Sequence, residues 1–227
     1  MPFGNARHAL CHPQLYKRRP VLYNSFITWE SVGTMKKNLF LAGPPHCGKT
    51  ALIRNILGGG IAMAGGFVTE GVYSSDGSLL GHELYPAAAA CGIEGFEALR
   101  FMDCTVSPFV TDNEIFRVNA VRLLQESAYY PFSVLDAFGG FELIIPQFRE
   151  ALADFLSSDQ PCIGVIKTQA EAEKLRLHLG LGERYTAYSQ RLHEALMADP
   201  DTLILETTGL NDPVARRIVA QWVKEYV

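Results

Sequence analysis

From residue 38 onward, short runs of consecutive apolar residues alternate with longer stretches of helical period. NLFLAG at 38–43 leads into the glycine-bearing PPHCGKT and then into ALIRNIL, which stops at Gly58-Gly59-Gly60. A brief unbroken apolar run bounded by glycine reads as a strand buried on both faces. FSVLD at 132–136, CIGVIK at 162–167 and TLILE at 202–206 repeat the pattern. The segments between them read as helices. Pro146 suits a first helical turn, and Ile145, Phe148, Leu152, Phe155 and Leu156 recur around it at helical spacing. Thr168 and Glu171 form a capping box ahead of the next helix, and Asn211 or Asp212 caps a last amphipathic helix that Pro213 opens. GGFVTEGVYSSDGSLLGHELY at 65–85 holds two alternating runs joined by Ser-Asp-Gly, which predicts a β-hairpin. Residues 91–131 carry the weakest pattern; Thr111-Asp-Asn-Glu114 resembles a capping box and predicts a partly helical stretch over IFRVNAVRLLQES. Strands alternating with helices imply an α/β fold, with a mostly parallel central sheet covered by helices on both faces.

Composition narrows the picture without naming a chemistry. A chain with 48% hydrophobic and 19% charged residues fits one globular domain, assigned to 35–227, behind an N-terminal extension at 1–34. That extension sets Arg7, Lys17, Arg18 and Arg19 against Glu30 alone, and Pro2, Pro13 and Pro20 interrupt any long amphipathic helix, which disfavours a targeting segment. His8, Cys11 and His12 lie close together but match no zinc spacing. With 24 acidic residues against 20 Lys and Arg, no basic field points to nucleic acid. The apolar runs are too short to span a membrane. Five cysteines, odd in number and without a C-x-x-C pair, fit reduced thiols in a cytoplasmic protein.

The chemistry is concentrated at 43–50. Gly43-Pro44-Pro45-His46-Cys47-Gly48-Lys49-Thr50 matches the G-x-x-x-x-G-K-[ST] phosphate-binding loop, Walker A, and lies where that motif must lie, between a strand and a helix. Its backbone N–H groups form a nest for phosphate oxygens. Lys49 brings a point charge to the β- and γ-phosphates, and Thr50 offers a hydroxyl to Mg²⁺. His46 and Cys47 fill free positions, where backbone rather than side chain meets phosphate. A nucleotide-bound Mg²⁺ needs a second anchor, an aspartate at the end of a neighbouring strand, and Asp136 closes FSVLD.

GPPHCGKT, GGFVTE at 65–70, LDAFGGFEL at 135–143 and CIGVIK resemble, in order and spacing, the thermophilic-type (cancer-related) nucleoside-triphosphatase family of P-loop NTPases, over about residues 38–227. The resemblance implies a three-layer αβα fold with an inserted β-hairpin, and Mg²⁺-dependent hydrolysis of nucleoside triphosphates such as ATP and GTP with broad base tolerance. It places Asp136 on the family's aspartate and Glu142 on its second glutamate. Thr207 and Asn211 fall on a late Thr-x-x-x-Asn signature that bears on the nucleotide, although Asp212 stands where an arginine usually follows. One departure bears on turnover. Ala137 occupies the position of the family's first glutamate, the carboxylate that orients or deprotonates the attacking water, and a positioned base typically contributes 10²–10⁴-fold. Glu142 and, second, Glu70 are the candidate replacements, so the catalytic set is Lys49, Glu142 and Glu70.

Two further readings stay open on the sequence. A small-molecule or nucleotide kinase would share the loop, but residues 77–131 supply only Arg100, Arg117 and Arg122 and no lysine for a basic lid. One of those arginines is a candidate finger toward the transferring phosphate. A nucleotide-binding sensor with little turnover is the other reading, prompted by Ala137. The sequence names no protein partner.

Overall fold

The computed structural model describes residues 35–91 and 96–227, so the expectations for the 1–34 extension lie outside the described residues. The strands are β1 (Asn38–Ala42), β2 (Ala64–Tyr73), β3 (Leu79–Pro86), β4 (Leu99–Asp103), β5 (Val110–Thr111), β6 (Phe132–Phe138), β7 (Cys162–Ile166) and β8 (Thr202–Glu206). Together they make one sheet in the order β5-β4-β3-β2-β6-β7-β1-β8. From β2 to β8 the neighbours run parallel, while β3, β4 and β5 continue the sheet antiparallel on the β2 side. The hairpin expected at 65–85 is therefore the start of a longer antiparallel wing. Residues 91–131 contribute β4 and β5 to it, two short strands whose sequence shows no clean alternation.

Period-two packing explains why the parallel strands read as unbroken apolar runs. Leu39, Leu41, Val68, Val134, Ile163 and Val165 belong to one buried cluster, whereas Phe40, Phe67, Leu135, Phe138 and Ile166 belong to another. Each strand thus feeds both faces, and both faces must be apolar. Helices α1 (Lys49–Leu57) and α6 (Pro213–Tyr226) cover the first face through Leu52, Ile53, Ala215, Val219 and the fully buried Trp222. The second is covered by α2 (Val121–Glu126), α3 (Pro146–Ser157) and α5 (Glu183–Ala198), through residues such as Leu124, Phe148, Leu152 and Tyr185. Helix α4 (Gln169–Leu179) precedes α5 and ends at Gly180 in the left-handed region. This is the three-layer αβα arrangement. Among the described residues no helix is long and apolar enough to cross a membrane, and Cys47, Cys104 and Cys162 are free.

The local signals resolve unevenly. Thr168 and Glu171 form the expected capping box, and Asp212, not Asn211, caps α6 by accepting from Val214 and Ala215 N–H at 3.0 and 3.1 Å. The box expected at 111–114 does not form. Thr111 is held in β5, and Asp112 caps instead, its carboxylate accepting from Glu114 N–H at 2.9 Å. The helix it starts is π-helical over Ile115–Ala120 before becoming α2.

Two backbones meet at the end of β1. Thr207 N–H donates to Ala42 O at 2.9 Å and Leu210 N–H to Cys47 O at 3.1 Å, laying the 207–212 turn against the phosphate loop. A glycine of positive φ sits beside each contact. A Cβ on Gly43 (φ 148°) would sit 2.3 Å from Thr207 O, and one on Gly209 (φ 115°) only 1.7 Å from Cys47 O. Gly209→Ala is therefore expected to destabilise well beyond the roughly 1–2 kcal/mol of a left-handed alanine. Gly77→Ala, at the open hairpin tip with φ 83° and nothing within 4 Å, is expected to stay near that figure. Chemical denaturation of the two variants checks this; equal losses would mean that the turn does not press on the loop.

Candidate functional site

The phosphate loop is built so that its amides stay free. Gly48 caps α1 in the left-handed region (φ 95°) without any side-chain hydrogen bond to the first-turn N–H groups, which are left for an anion. Pro44, Pro45 and His46 are exposed, and His46 itself has φ 59°. Lys49 is buried, and its side chain folds back across the loop to donate to Gly43 O at 2.8 Å and Pro44 O at 2.7 Å, with Cys47 Sγ at 4.0 Å. Its ammonium is thereby held over the loop that the sequence assigns to phosphate. The Cys47 side chain does little else, whereas its carbonyl anchors the 207–212 turn.

Thr50 and Asp136 are brought together. The Thr50 hydroxyl donates to Asp136 Oδ1 at 3.0 Å although the residues belong to different elements. Phe132 and Val134 of β6 face the α1 side, so Asp136, two residues further along the strand, presents its carboxylate to the start of that helix. Asp136 is 3% exposed, and burial pushes its carboxyl up to about 6, opposed by the Thr50 hydrogen bond. Two oxygen donors side by side suit a hard cation. The Asp136–Ala137 peptide is cis.

The GGFVTE segment turns out to be the support of this strand end. Gly66 (φ 83°) allows β2 to approach β6, since a Cβ there would lie 2.3 Å from Val134 O. Phe67 is buried among Phe116 and Phe148. Thr69 Oγ1 accepts from Ala137 N–H at 3.1 Å, fixing the chain just after Asp136. Glu70 is ion-paired with Arg54 of α1, which also donates to the Tyr85 hydroxyl at 3.0 Å. Thus Glu70 joins β2 to the phosphate-loop helix.

Glu142 is 3% exposed, and its Oε1 accepts from Gly140 N–H at 2.6 Å. Gly139 (φ 91°) lets the chain fold back so that this contact forms. Burial raises the Glu142 pKa, opposed by Lys167 and by the amides of Gly140, Glu142 and Gly139. The half-buried Ala137 packs against the α1-side cluster. Asn211 is exposed in the turn beside the loop and makes no hydrogen bond. Its neighbour Asp212 organises that turn, accepting from Thr207 Oγ1 and from Thr208 N–H, both at 3.1 Å. The three candidate finger arginines are each ion-paired, Arg100 with Glu83, Arg117 with Glu114 and Arg122 with Glu126.

Sequence reasoning passed over several groups here. Lys167 follows β7, and its charge bears on both Asp136 and Glu142. His82 of β3 stacks on Phe101 with ring centroids 6.0 Å apart; burial lowers its pKa to about 4, helped by the charges of Lys167, His46 and Arg100. Tyr185 and His193 of α5 reach Gly139 O at 3.3 Å and Lys167 O at 2.9 Å. Only Lys167 left a legible signal, a cation at the carboxyl end of a buried parallel strand, where ligands of open α/β sheets bind.

Among the described residues no group of three or more His, Cys, Asp or Glu gathers into a metal cluster. A comparison with the curated proteins finds no match. Among solved structures the chain is similar to THEP1 from the hyperthermophile Aquifex aeolicus, with 16% identity over 81% of this chain and 95% of that one and a TM-score of 0.49. The sequence family described as NTPase matches residues 38–185, a span holding the phosphate loop, the GGFVTE brace, Asp136, Glu142 and Lys167. On that match, the chain belongs to the NTPase family.

Proposed function

We propose that the chain is a Mg²⁺-dependent nucleoside triphosphatase that hydrolyses ATP, GTP or a related 5′-triphosphate to diphosphate and phosphate. The observation that carries this reading is the 3.0 Å hydrogen bond between Thr50 and Asp136 beside a loop with unspent amides. Thr50 and Asp136 would hold Mg²⁺, which prefers oxygen ligands and keeps several of its waters. When bound, the ion supplies charge neutralisation on the β- and γ-phosphate oxygens.

The remaining steps belong to the chain. The first-turn amides of α1 and the loop amides bind the phosphates, and Lys49 moves its ammonium from the loop carbonyls to the β- and γ-oxygens. Water attacks the γ-phosphorus, the bond to the bridging oxygen breaks, and the diphosphate leaves with the electron pair. Glu142 takes the proton. Its burial supports that role, because a carboxylate whose pKa is raised accepts a proton more readily near neutral pH. Glu70, committed to Arg54, serves the scaffold. The methyl of Ala137 offers nothing to the water, so turnover is slow. Asn211 lies free beside the loop, where it can meet the nucleoside. A cytoplasmic setting, expected from the unpaired thiols, belongs to the same reading. The sensor with little turnover is the second reading, and Ala137 is what favours it.

Phosphate release by the whole chain with Mg²⁺ tests the proposal. Lys49→Ala is expected to weaken triphosphate binding by about tenfold or more, since a hydrogen bond to a charged group is worth roughly 1.5–3 kcal/mol. Asp136→Asn is expected to impair Mg²⁺-dependent binding and turnover together. Glu142→Gln is expected to slow hydrolysis by at least about 10²-fold at nearly unchanged affinity, because a base acts on the transition state alone. Ala137→Glu is expected to raise the rate. Release that is absent in the wild type would favour the sensor, release only with an added acceptor would favour a kinase, and an unaltered rate in Ala137→Glu would remove the base from position 137.

A further inference from the structure

The order β6-β7-β1 puts one strand between the two that carry the phosphate loop and the Asp136 carboxylate. Parallel strands lie about 4.8 Å apart, so a phosphate reaching from the loop at the end of β1 toward a cation at the end of β6 must pass over the end of β7. The residue there is Lys167. Its N–H donates to Phe138 O at 2.9 Å, which ties its backbone level with the residue two beyond Asp136. Its carbonyl accepts from His193 Nε2 at 2.9 Å. A carbonyl can only accept, so this contact sets the His193 tautomer with the proton on Nε2. The main chain of Lys167 is therefore clamped from two sides.

Its side chain is not. Lys167 is half-buried and makes no side-chain hydrogen bond or ion pair with any described residue. Its Cε lies 2.9 Å from the position that a Cβ on Gly140 would take, and Glu142 Oε2 lies 2.7 Å from the same point. The ammonium and the carboxylate thus share the space above Gly140, which only glycine leaves open. The three candidate finger arginines, Arg100, Arg117 and Arg122, are ion-paired with Glu83, Glu114 and Glu126.

Resting on the hydrolytic reading above, we propose that Lys167 is a catalytic cation: its ammonium contacts the γ-phosphate from the end of β7 and stabilises the charge that grows there as the bond to the diphosphate breaks. It fills from within the chain the place that an arginine finger fills in other P-loop enzymes. In the same position it keeps Glu142 beside the attacking water. Lys167, His46 and Arg100 each add to the burial that lowers the His82 pKa. Only Lys167 among them stands between the loop and Asp136.

The test compares wild type, Lys167→Met and Lys167→Arg. Affinity is measured by calorimetry with Mg²⁺ and either a β,γ-imido triphosphate or the matching diphosphate, and turnover by phosphate release. Lys167→Met is expected to lose roughly tenfold in triphosphate affinity while diphosphate affinity stays within about twofold. Its kcat is expected to fall about 10²-fold, the scale of one lost donor to a developing anion, while KM shifts far less. Lys167→Arg, which keeps the charge, is expected to recover most of the triphosphate preference. Equal losses for both nucleotides, or no change in either affinity or kcat, would overturn the proposal. Should the wild type release no phosphate, the hydrolytic reading fails, and the triphosphate-to-diphosphate ratio still decides whether Lys167 meets the terminal phosphate.

Discussion

The hydrogen bond between Thr50 and Asp136 depends on two parallel strands, with a third between them, ending at the same level. Register sets that level. Asp136 pairs with Val165 of β7, and Leu41 of β1 pairs with the same Val165, so the last residues of β6, β7 and β1 come out side by side. Parallel pairing sends every strand's carboxyl end to one edge, which is where open α/β sheets gather their ligands. The Thr207 turn reaches that edge by the same rule, since Ala42 pairs with Glu206. A one-residue slip of β6 would turn Asp136 toward the opposite face and away from α1.

The site pays for its position with buried polarity. Asp136 and Glu142 are almost fully enclosed, and burial raises both pKa values. Neither is left without partners: a hydroxyl serves the first and a glycine-loop amide the second, while Lys167 lends charge to both. Glycine makes this crowding feasible at Gly43, Gly66 and Gly209, where a side chain would run into backbone of a neighbouring segment. The scaffold behind is correspondingly stiff. Thr69 holds the amide of Ala137, Tyr185 and His193 hold carbonyls at 139 and 167, and Arg54 joins α1 to Glu70 and Tyr85.

The parts that were legible in the sequence are those in which local chemistry and fold agree. Buried parallel strands leave unbroken apolar runs, and the phosphate loop has a spelling that few other turns share. The nearness of Asp136 to the loop was legible because a lone aspartate closing the apolar run FSVLD is conspicuous once a loop asks for a partner, although β6 itself runs on to Phe138. The antiparallel wing was only half visible. LRFMD and VT are short, and Arg100 ion-pairs within the sheet rather than marking a loop. Thr111 failed as a cap because strand pairing claimed it first. Lys167 was written at the end of CIGVIK, yet its meaning depends on which strands flank β7, and strand order is not a local property. The brace formed by Thr69 was hidden for the same reason.

The claim on which the account rests is that water, giving its proton to Glu142, is the acceptor at the γ-phosphorus. Turnover of a nucleoside triphosphate with Mg²⁺ in water enriched in heavy oxygen, followed by mass analysis of both products, tests it directly. The account expects a single heavy oxygen in each released phosphate and none in the diphosphate. Label in the diphosphate, or phosphate released without label, would contradict it.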